Sequence, residues 1–299
     1  MKRGVAAWLG KSGHVLGSLA VCAIMLVVPV LSFAQVGSVF GHAPSRKATP
    51  LPALQVRAID STDKPVQTFS EPLLTVTFDD GWESVYEQAM PLLQKYGIRT
   101  TQYVLSGNEK NPLYMSWDQI GAMQKAGHEI ACHSVTHPDL TTLSSTDLNS
   151  QLSGCKETLS ARYGAITNFA SPYGAENDQT LSAISNYFVS QRNTNGDISN
   201  GVSDVDVNLA GNFKPYDIIG VTIQRDTTVA QLQSVIEYAQ ANNGWVVLTY
   251  HQADEDASQY GLNVTELNKQ LEFLSKANIR IVTMHQAMSS IIAKKAGAN

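Results

Sequence analysis

Leu73-Leu74-Thr75-Val76-Thr77-Phe78-Asp79-Asp80-Gly81-Trp82 is the stretch that most limits what this chain can become. Its apolar, β-branched run reads as a buried strand. The run stops at two adjacent carboxylates and a glycine. Side chains alternate along a strand, so Asp79 and Asp80 leave its end in different directions, and Gly81 permits a sharp turn. Carboxylates at the mouth of a buried strand are costly unless something cationic meets them. A metal ion is one answer; a solvated Asp-Asp-Gly turn is the other.

The order of the other elements gives the architecture. The pattern predicts a helix over Glu83–Tyr96, kinked at Pro91 and ended by Gly97, then a strand over Thr100–Leu105. Ser116 caps a helix through Ala126, and Gly127 stops it before a strand at His128–Cys132. Helices over Thr146–Tyr163, Asp178–Asn186, Val229–Ala241 and Val264–Lys276 follow. They alternate with strands over Ile166–Ala170, Tyr187–Gln191, Ile218–Ile223, Trp245–Tyr250 and Ile279–Thr283, and a last helix starts at His285. An Asn-, Gly- and Asp-rich excursion occupies Asn193 to Pro215. Such alternation means an α/β fold, a parallel sheet with helices outside. With this many units a closed or nearly closed barrel is favoured, and its chemistry gathers at the carboxyl ends of the strands.

Those ends carry the polar residues. The first strand ends in Asp79-Asp80, the third runs into His133-Ser134-Val135-Thr136-His137, and the fourth leads to Ser171-Pro172-Tyr173-Gly174. The fifth leads to Arg192 and the seventh to His251. Of seven histidines, three therefore sit at strand ends. His133 and His137 are four apart, so a helical turn would put both rings on one face. Two histidines and one carboxylate form a ligand set for a catalytic zinc with a position open to water.

The start of the chain sets the compartment. Lys2, Arg3 and Lys11 precede an apolar segment from about Val15 to Phe33, and Ser32-Phe33-Ala34 offers a cleavage site. Residues 1–34 read as a signal peptide or, given the length of the apolar run, an uncleaved N-terminal anchor. Either one exports the chain, to the periplasm, the cell surface or the medium. Removing this segment takes its three positive charges and moves the formal charge from -5 to -8. So acidic a chain is a poor nucleic-acid binder. Residues 35–71, rich in Pro, Ser, Ala, Lys and Gln, read as a linker or arm, and 72–299 as one domain. Cys132 on a strand and Cys155 in a helix are expected as two buried thiols rather than a disulfide.

Four segments, Thr77-Phe78-Asp79-Asp80-Gly81, His133 to His137, Phe169-Ala170-Ser171-Pro172-Tyr173-Gly174 and Leu248-Thr249-Tyr250-His251, occur in register with those of the polysaccharide deacetylases. The chain from about Leu73 to Ala287 resembles these carbohydrate esterase family 4 enzymes, which share a NodB homology domain. The resemblance implies a distorted (β/α)7 barrel. It implies Asp79 as general base, Asp80, His133 and His137 as metal ligands, and His251 as general acid. Pro172, Tyr173 and Gly174 would shape the groove and hold the oxyanion through a backbone N–H, and Leu248 would line the acetyl pocket. The implied metal is zinc, with cobalt, nickel or manganese as alternatives at such a site.

Two departures stand out. The arginine that precedes the proline loop in many family members is replaced by Ala170, and Arg192, grouped with the substrate-site residues, is expected to supply the missing guanidinium. The Phe-Ala-x-Pro-Tyr-Gly loop resembles the branch of exported poly-β-1,6-N-acetylglucosamine deacetylases. A partner for His251 is unassigned among Asp197, Asp204, Asp206 and Asp226. Asp139 fits either a partner of a ligand histidine or a helix cap, and Trp82 either a sugar groove or rim packing. The function implied is removal of N-acetyl groups from an N-acetylglucosamine polymer. Alternatives are O-deacetylation of acetylxylan or carbohydrate binding without catalysis.

Overall fold

Every residue from Leu73 to Phe78 is buried, and this strand, β1, is the seam on which the sheet is assembled. The computed structural model describes residues 69–108, 110–254 and 258–297. The signal or anchor segment over 1–34 and most of the arm over 35–71 lie outside the described residues. Among the described residues no helix is long and apolar enough to cross a membrane.

Parallel strands β2 (Thr101–Val104), β3 (Glu129–Cys132), β4 (Asn168–Ala170) and β5 (Ser190–Arg192) extend the sheet on one side of β1. On the other side stand β7 (Trp245–Tyr250) and β6 (Val221–Thr222), so the order is β5-β4-β3-β2-β1-β7-β6. β1 pairs with β7 along its whole length, from Leu73 opposite Trp245 to Phe78 opposite Tyr250. Its other edge is shared. β8 (Arg280–Ile281) pairs with Leu73 and Leu74, and β2 pairs further up, with Thr77 and Phe78. Isolated parallel bridges, Arg192 to Ile218 and Gly196 to Val221, draw the two outer strands together. The sheet thus curls into a half-barrel with helices outside, in keeping with the distorted (β/α)7 barrel.

Alternation along the strands sorts the core into two layers. Leu74, Val76, Phe78, Val246, Leu248 and Tyr250 face outward onto helices. There they meet Leu93 of α1 (Met90–Tyr96), Met123 of α2 (Trp117–Lys125), Leu152 of α3 (Ser145–Tyr163), Leu232 of α5 (Val229–Asn242) and Leu271 of α6 (Val264–Lys276). Burying side chains of this size stabilises the fold by about 1.5–3 kcal/mol each. α4 (Asp178–Ser185) completes the outer layer through Ile184. The inward layer holds Tyr103, Ala131, Ala170, Trp245 and Val247, closed at the amino end of the strands by Met284, Met288 and Ile291 of α7 (Met284–Gly297). The carboxyl end is left for polar side chains.

Three local expectations change. Val85–Ala89 is one turn of wider π-helix ahead of α1, in which the Met90 N–H donates to Val85 O. Pro91 has no N–H to continue the ordinary ladder, and the wider turn absorbs that loss. β5 begins at Ser190, not Tyr187, because Tyr187 and Phe188 still donate their N–H groups to Ile184 O at the end of α4. Arg192 is therefore inside a strand rather than after one. Cys132 and Cys155 are joined in a disulfide, not left as thiols, because the last residue of β3 packs directly against α3.

Candidate active site

The β1–β7 register places Asp79 and His251 one residue beyond the Phe78–Tyr250 pair, and the Asp79 N–H donates to Tyr250 O at 2.9 Å. Parity keeps both on the inward face with Thr77 and Thr249. Asp79 is 2% exposed. From across the half-barrel, Arg192 Nη2 donates to Asp79 Oδ1 at 2.6 Å and to Oδ2 at 2.5 Å. Arg192 is the register partner of Ala170 on β4, so its guanidinium enters from the neighbouring strand at the level of Ala170. The guanidinium lies 5.1 Å from the centroid of Tyr103. Arg192 is wholly buried behind the carboxylate, so it positions Asp79 and does not line the open groove. Burial raises the Asp79 pKa, but Arg192 and the nearby His133 and His251 outweigh it and hold this carboxyl below its ordinary value.

Asp80 adopts φ 72°, which turns its side chain away from Asp79 and toward the histidines. Its Oδ1 lies 3.5 Å from His133 Nε2 and 3.4 Å from His137 Nε2. The expected helical turn for the histidine pair is absent. His133 continues β3, and Ser134 at φ 73° and His137 at φ 61° fold the chain back in a loop. The His137 N–H donates to Ser134 Oγ at 2.9 Å, closing that loop. His133 Nδ1 lies 2.8 Å from Ala170 O, which assigns the proton to Nδ1 and leaves Nε2 a free donor atom. Burial also holds the His133 pKa below its ordinary value, against the pull of Asp79 and Asp80. A neutral imidazole is what a metal ligand must be.

These residues fit a divalent cation. Asp80 Oδ1 is buried without a hydrogen-bond partner, and the three candidate ligand atoms lie within 4.8 Å of one another. Two donors about 2.1 Å from one tetrahedral ion sit about 3.4 Å apart, close to the spacings here.

The loop after β4 lies over this cluster. Tyr173 sits at φ 60°, is 67% exposed, and its ring stands edge-on to His137 with centroids 4.5 Å apart. Gly174 is obligatory beside it: a Cβ there would come within 2.1 Å of Thr194 Oγ1 and 2.7 Å of Thr194 N. Pro172 is buried beneath. Leu248 is a correction. It has the opposite parity to His251 and belongs to the helix-facing core, so it lines no acetyl pocket; the inward residue of β7 at that level is Thr249. His251 Nδ1 is buried with no hydrogen-bond partner among the described residues, so none of the four candidate aspartates pairs with it. Asp206 instead accepts from the N–H groups of Asp197 and Ser203, and Asp139 caps Thr141.

Sequence reading missed two residues, Gly220 and Glu176, and the role of a third, Trp82. Gly220 leaves room for the arginine: a Cβ there would lie 2.5 Å from Arg192 Cδ and 2.6 Å from Asn193 O. Trp82 Nε1 donates to Asp80 Oδ2 at 2.9 Å, a pairing two residues apart that the sequence does contain. Glu176, just past the Tyr173 loop, is raised to about 7 by burial and by the neighbouring Asp217. No local signal marks Glu176.

Residues 67–190 match the family model described as polysaccharide deacetylase. That match takes in the Asp79-Asp80 and His133–His137 segments and the Tyr173 loop. Over 117 residues the chain is 33% identical to a chitin deacetylase of Colletotrichum lindemuthianum, 38% of this chain and 46% of that one. Over 106 residues it is 29% identical to a bifunctional xylanase/deacetylase of Pseudobutyrivibrio xylanivorans, 35% of this chain and 17% of that one. The alignments span less than half the length of these curated relatives. In fold, the chain is similar to the crystal structure of the Xyl-CE4 domain of a multidomain xylanase from the hindgut metagenome of Trinervitermes trinervoides. That match has TM-score 0.51 and 21% identity, over 76% of this chain and 92% of that one.

Proposed function

We propose that this protein is a metal-dependent hydrolase that removes N-acetyl groups from an N-acetylglucosamine-containing polysaccharide. The observation that carries the reading is the convergence on one barrel rim of a buried, arginine-held Asp79, the Asp80-His133-His137 cluster and His251. Asp80, His133 and His137 would hold the cation, zinc by the donor set, with cobalt, nickel or manganese as substitutes. That cation would supply Lewis-acid polarisation of the acetyl carbonyl and of the attacking water.

The chain's own residues do the rest. Asp79, kept ionised by Arg192, takes a proton from the water as it attacks the acetyl carbon. The Tyr173 N–H donates to no group among the described residues, which leaves it for the developing oxyanion. His251 gives a proton to the departing nitrogen, and acetate and a free amine result.

The domain is assigned to residues 72–299 and the chain to an exported location. The Cys132–Cys155 disulfide supports an oxidising compartment. Arg192 beside Ala170 supports placement with the exported poly-N-acetylglucosamine deacetylases, whose loop the chain resembles. O-deacetylation of xylan is the second reading, favoured by similarity to the xylanase/deacetylase.

The test is acetate release from β-1,4 and β-1,6 N-acetylglucosamine oligomers, peptidoglycan and acetylxylan, each with and without chelator. Chelator-sensitive release from an amino-sugar polymer is expected. Release from acetylxylan alone establishes the esterase; release from none, with folded protein and zinc added, leaves a carbohydrate-binding homologue.

A further inference from the structure

Asp80 presents two oxygens, and the structure treats them differently. Oδ1 faces both imidazole Nε2 atoms and has no hydrogen-bond partner, whereas Oδ2 accepts the Trp82 indole N–H at 2.9 Å. An indole N–H can only donate, so Oδ2 is engaged whatever the pH. The indole is itself held from outside the barrel. Trp82 bridges Tyr114, and their rings stack with centroids 4.6 Å apart and planes 19° from parallel. The Glu83 N–H donates to Leu113 O at 2.9 Å and the Met115 N–H to Gly81 O at 2.8 Å. A turn between β2 and α2 thus fixes the ring whose edge meets the carboxylate.

We propose that Trp82 is a positioning residue for Asp80: its N–H occupies Oδ2 and leaves Oδ1 as the one oxygen offered to a divalent cation between His133 and His137. This rests on the three-ligand reading above. One carboxylate oxygen per cation keeps a coordination position open for water and substrate. Losing the N–H frees Oδ2 to chelate alongside Oδ1, and it removes the restraint on the side chain's rotation. Outer partners of this kind change metal affinity by about 10–100-fold.

The experiment compares zinc affinity, by competition with a chromophoric chelator, in the wild type, Trp82→Phe and His137→Ala, with melting in EDTA as the check on folding. The cobalt-loaded proteins are then compared by visible absorption, which reads coordination number and does not respond to a merely structural role. Trp82→Phe keeps the ring on Tyr114 and deletes the donor. We expect zinc binding about 10–100-fold weaker and weaker cobalt absorption bands, as coordination number rises. Zinc affinity within twofold of wild type and an unchanged cobalt spectrum overturn the proposal while leaving the ligand set standing. If His137→Ala binds zinc as well as the wild type, the ligand set fails and the proposal with it. Should Trp82→Phe not fold, the wild type labelled with 15N at the indole nitrogens answers instead. Its Trp82 resonance, assigned by elimination, moves on zinc saturation if the proposal holds and stays in place if it does not.

Discussion

Arg192 and Asp79 stand 113 residues apart in sequence, on strands at opposite sides of the half-barrel, and are joined by one guanidinium nitrogen that donates to both carboxylate oxygens. Both side chains are buried, so neither can fall back on water. Removing one partner of a buried pair typically costs about 3–5 kcal/mol, because the other is left charged and uncompensated. Arg192→Met is expected to lose stability on that scale in a denaturant titration, and to lose most acetate-releasing activity. Arg192→Lys keeps the charge but loses the planar fork, and is expected to fall between the two.

Gly220→Ala tests the same pair from behind. The new Cβ would sit 2.5 Å from Arg192 Cδ and 2.6 Å from a backbone oxygen, so the arginine stem must shift. A destabilisation of about 1–3 kcal/mol is expected, with activity falling more than it does at a surface glycine such as Gly211. Equal activity in the two variants would show that Arg192 tolerates displacement.

His251 should separate amide from ester chemistry. An amine leaves poorly without a proton, whereas an activated ester barely needs one. His251→Ala is expected to slow N-acetyl hydrolysis by about 10²–10⁴-fold and aryl acetate hydrolysis far less. Parallel rates on the two substrates measure the difference.

The Cys132–Cys155 disulfide closes a loop of sequence separation 23, with one end at the residue before His133. Loss of that constraint costs about 3 kcal/mol in the chain-entropy account. Cys155→Ser, or the wild type with reductant, should show a lower unfolding midpoint. If the Asp80-His133-His137 cluster holds zinc as proposed, zinc affinity is expected to fall with it, and the size of that fall reports how firmly α3 holds His133.

Glu176 supplies the pH dependence. Burial and Asp217 raise its folded pKa to about 7. A carboxyl whose pKa is raised by folding keeps its proton in the native state after the unfolded chain has lost one. Stability therefore falls as pH rises between the ordinary carboxylate range and about 7, and the penalty persists above it. Glu176→Gln should match the wild type below pH 4. Above pH 7 it should exceed it by about 1 kcal/mol, discounted because the group is only partly buried. In thermal melts that is about 2–4 °C.

The barrel was legible in the sequence because its signals are local and repeated. Trp245–Tyr250 and Val264–Lys276 begin and end where composition places them, and Ser116 closes its capping box with Gln119. The site residues were legible by kind, since Asp79, Asp80, His133, His137 and His251 are polar groups abruptly ending apolar runs. Geometry was less so. The Asp80, Ser134 and His137 backbones turn left-handed, which the four-residue spacing of the histidines does not announce. The side on which Leu248 falls follows from counting parity back from His251 along a real strand, and a short motif does not reveal it.

Chain order and side-chain chemistry by themselves determined the alternation of strand and helix and the gathering of carboxylates and imidazoles at strand ends. Only the tertiary structure decided which of those groups meet. Arg192 reaches Asp79 because the sheet curls, Cys132 reaches Cys155 because α3 packs on β3, and Trp82 turns onto Asp80 because the Tyr114 turn holds it. Each of these depends on a distance across the fold, set by sheet curvature and packing rather than by neighbours along the chain.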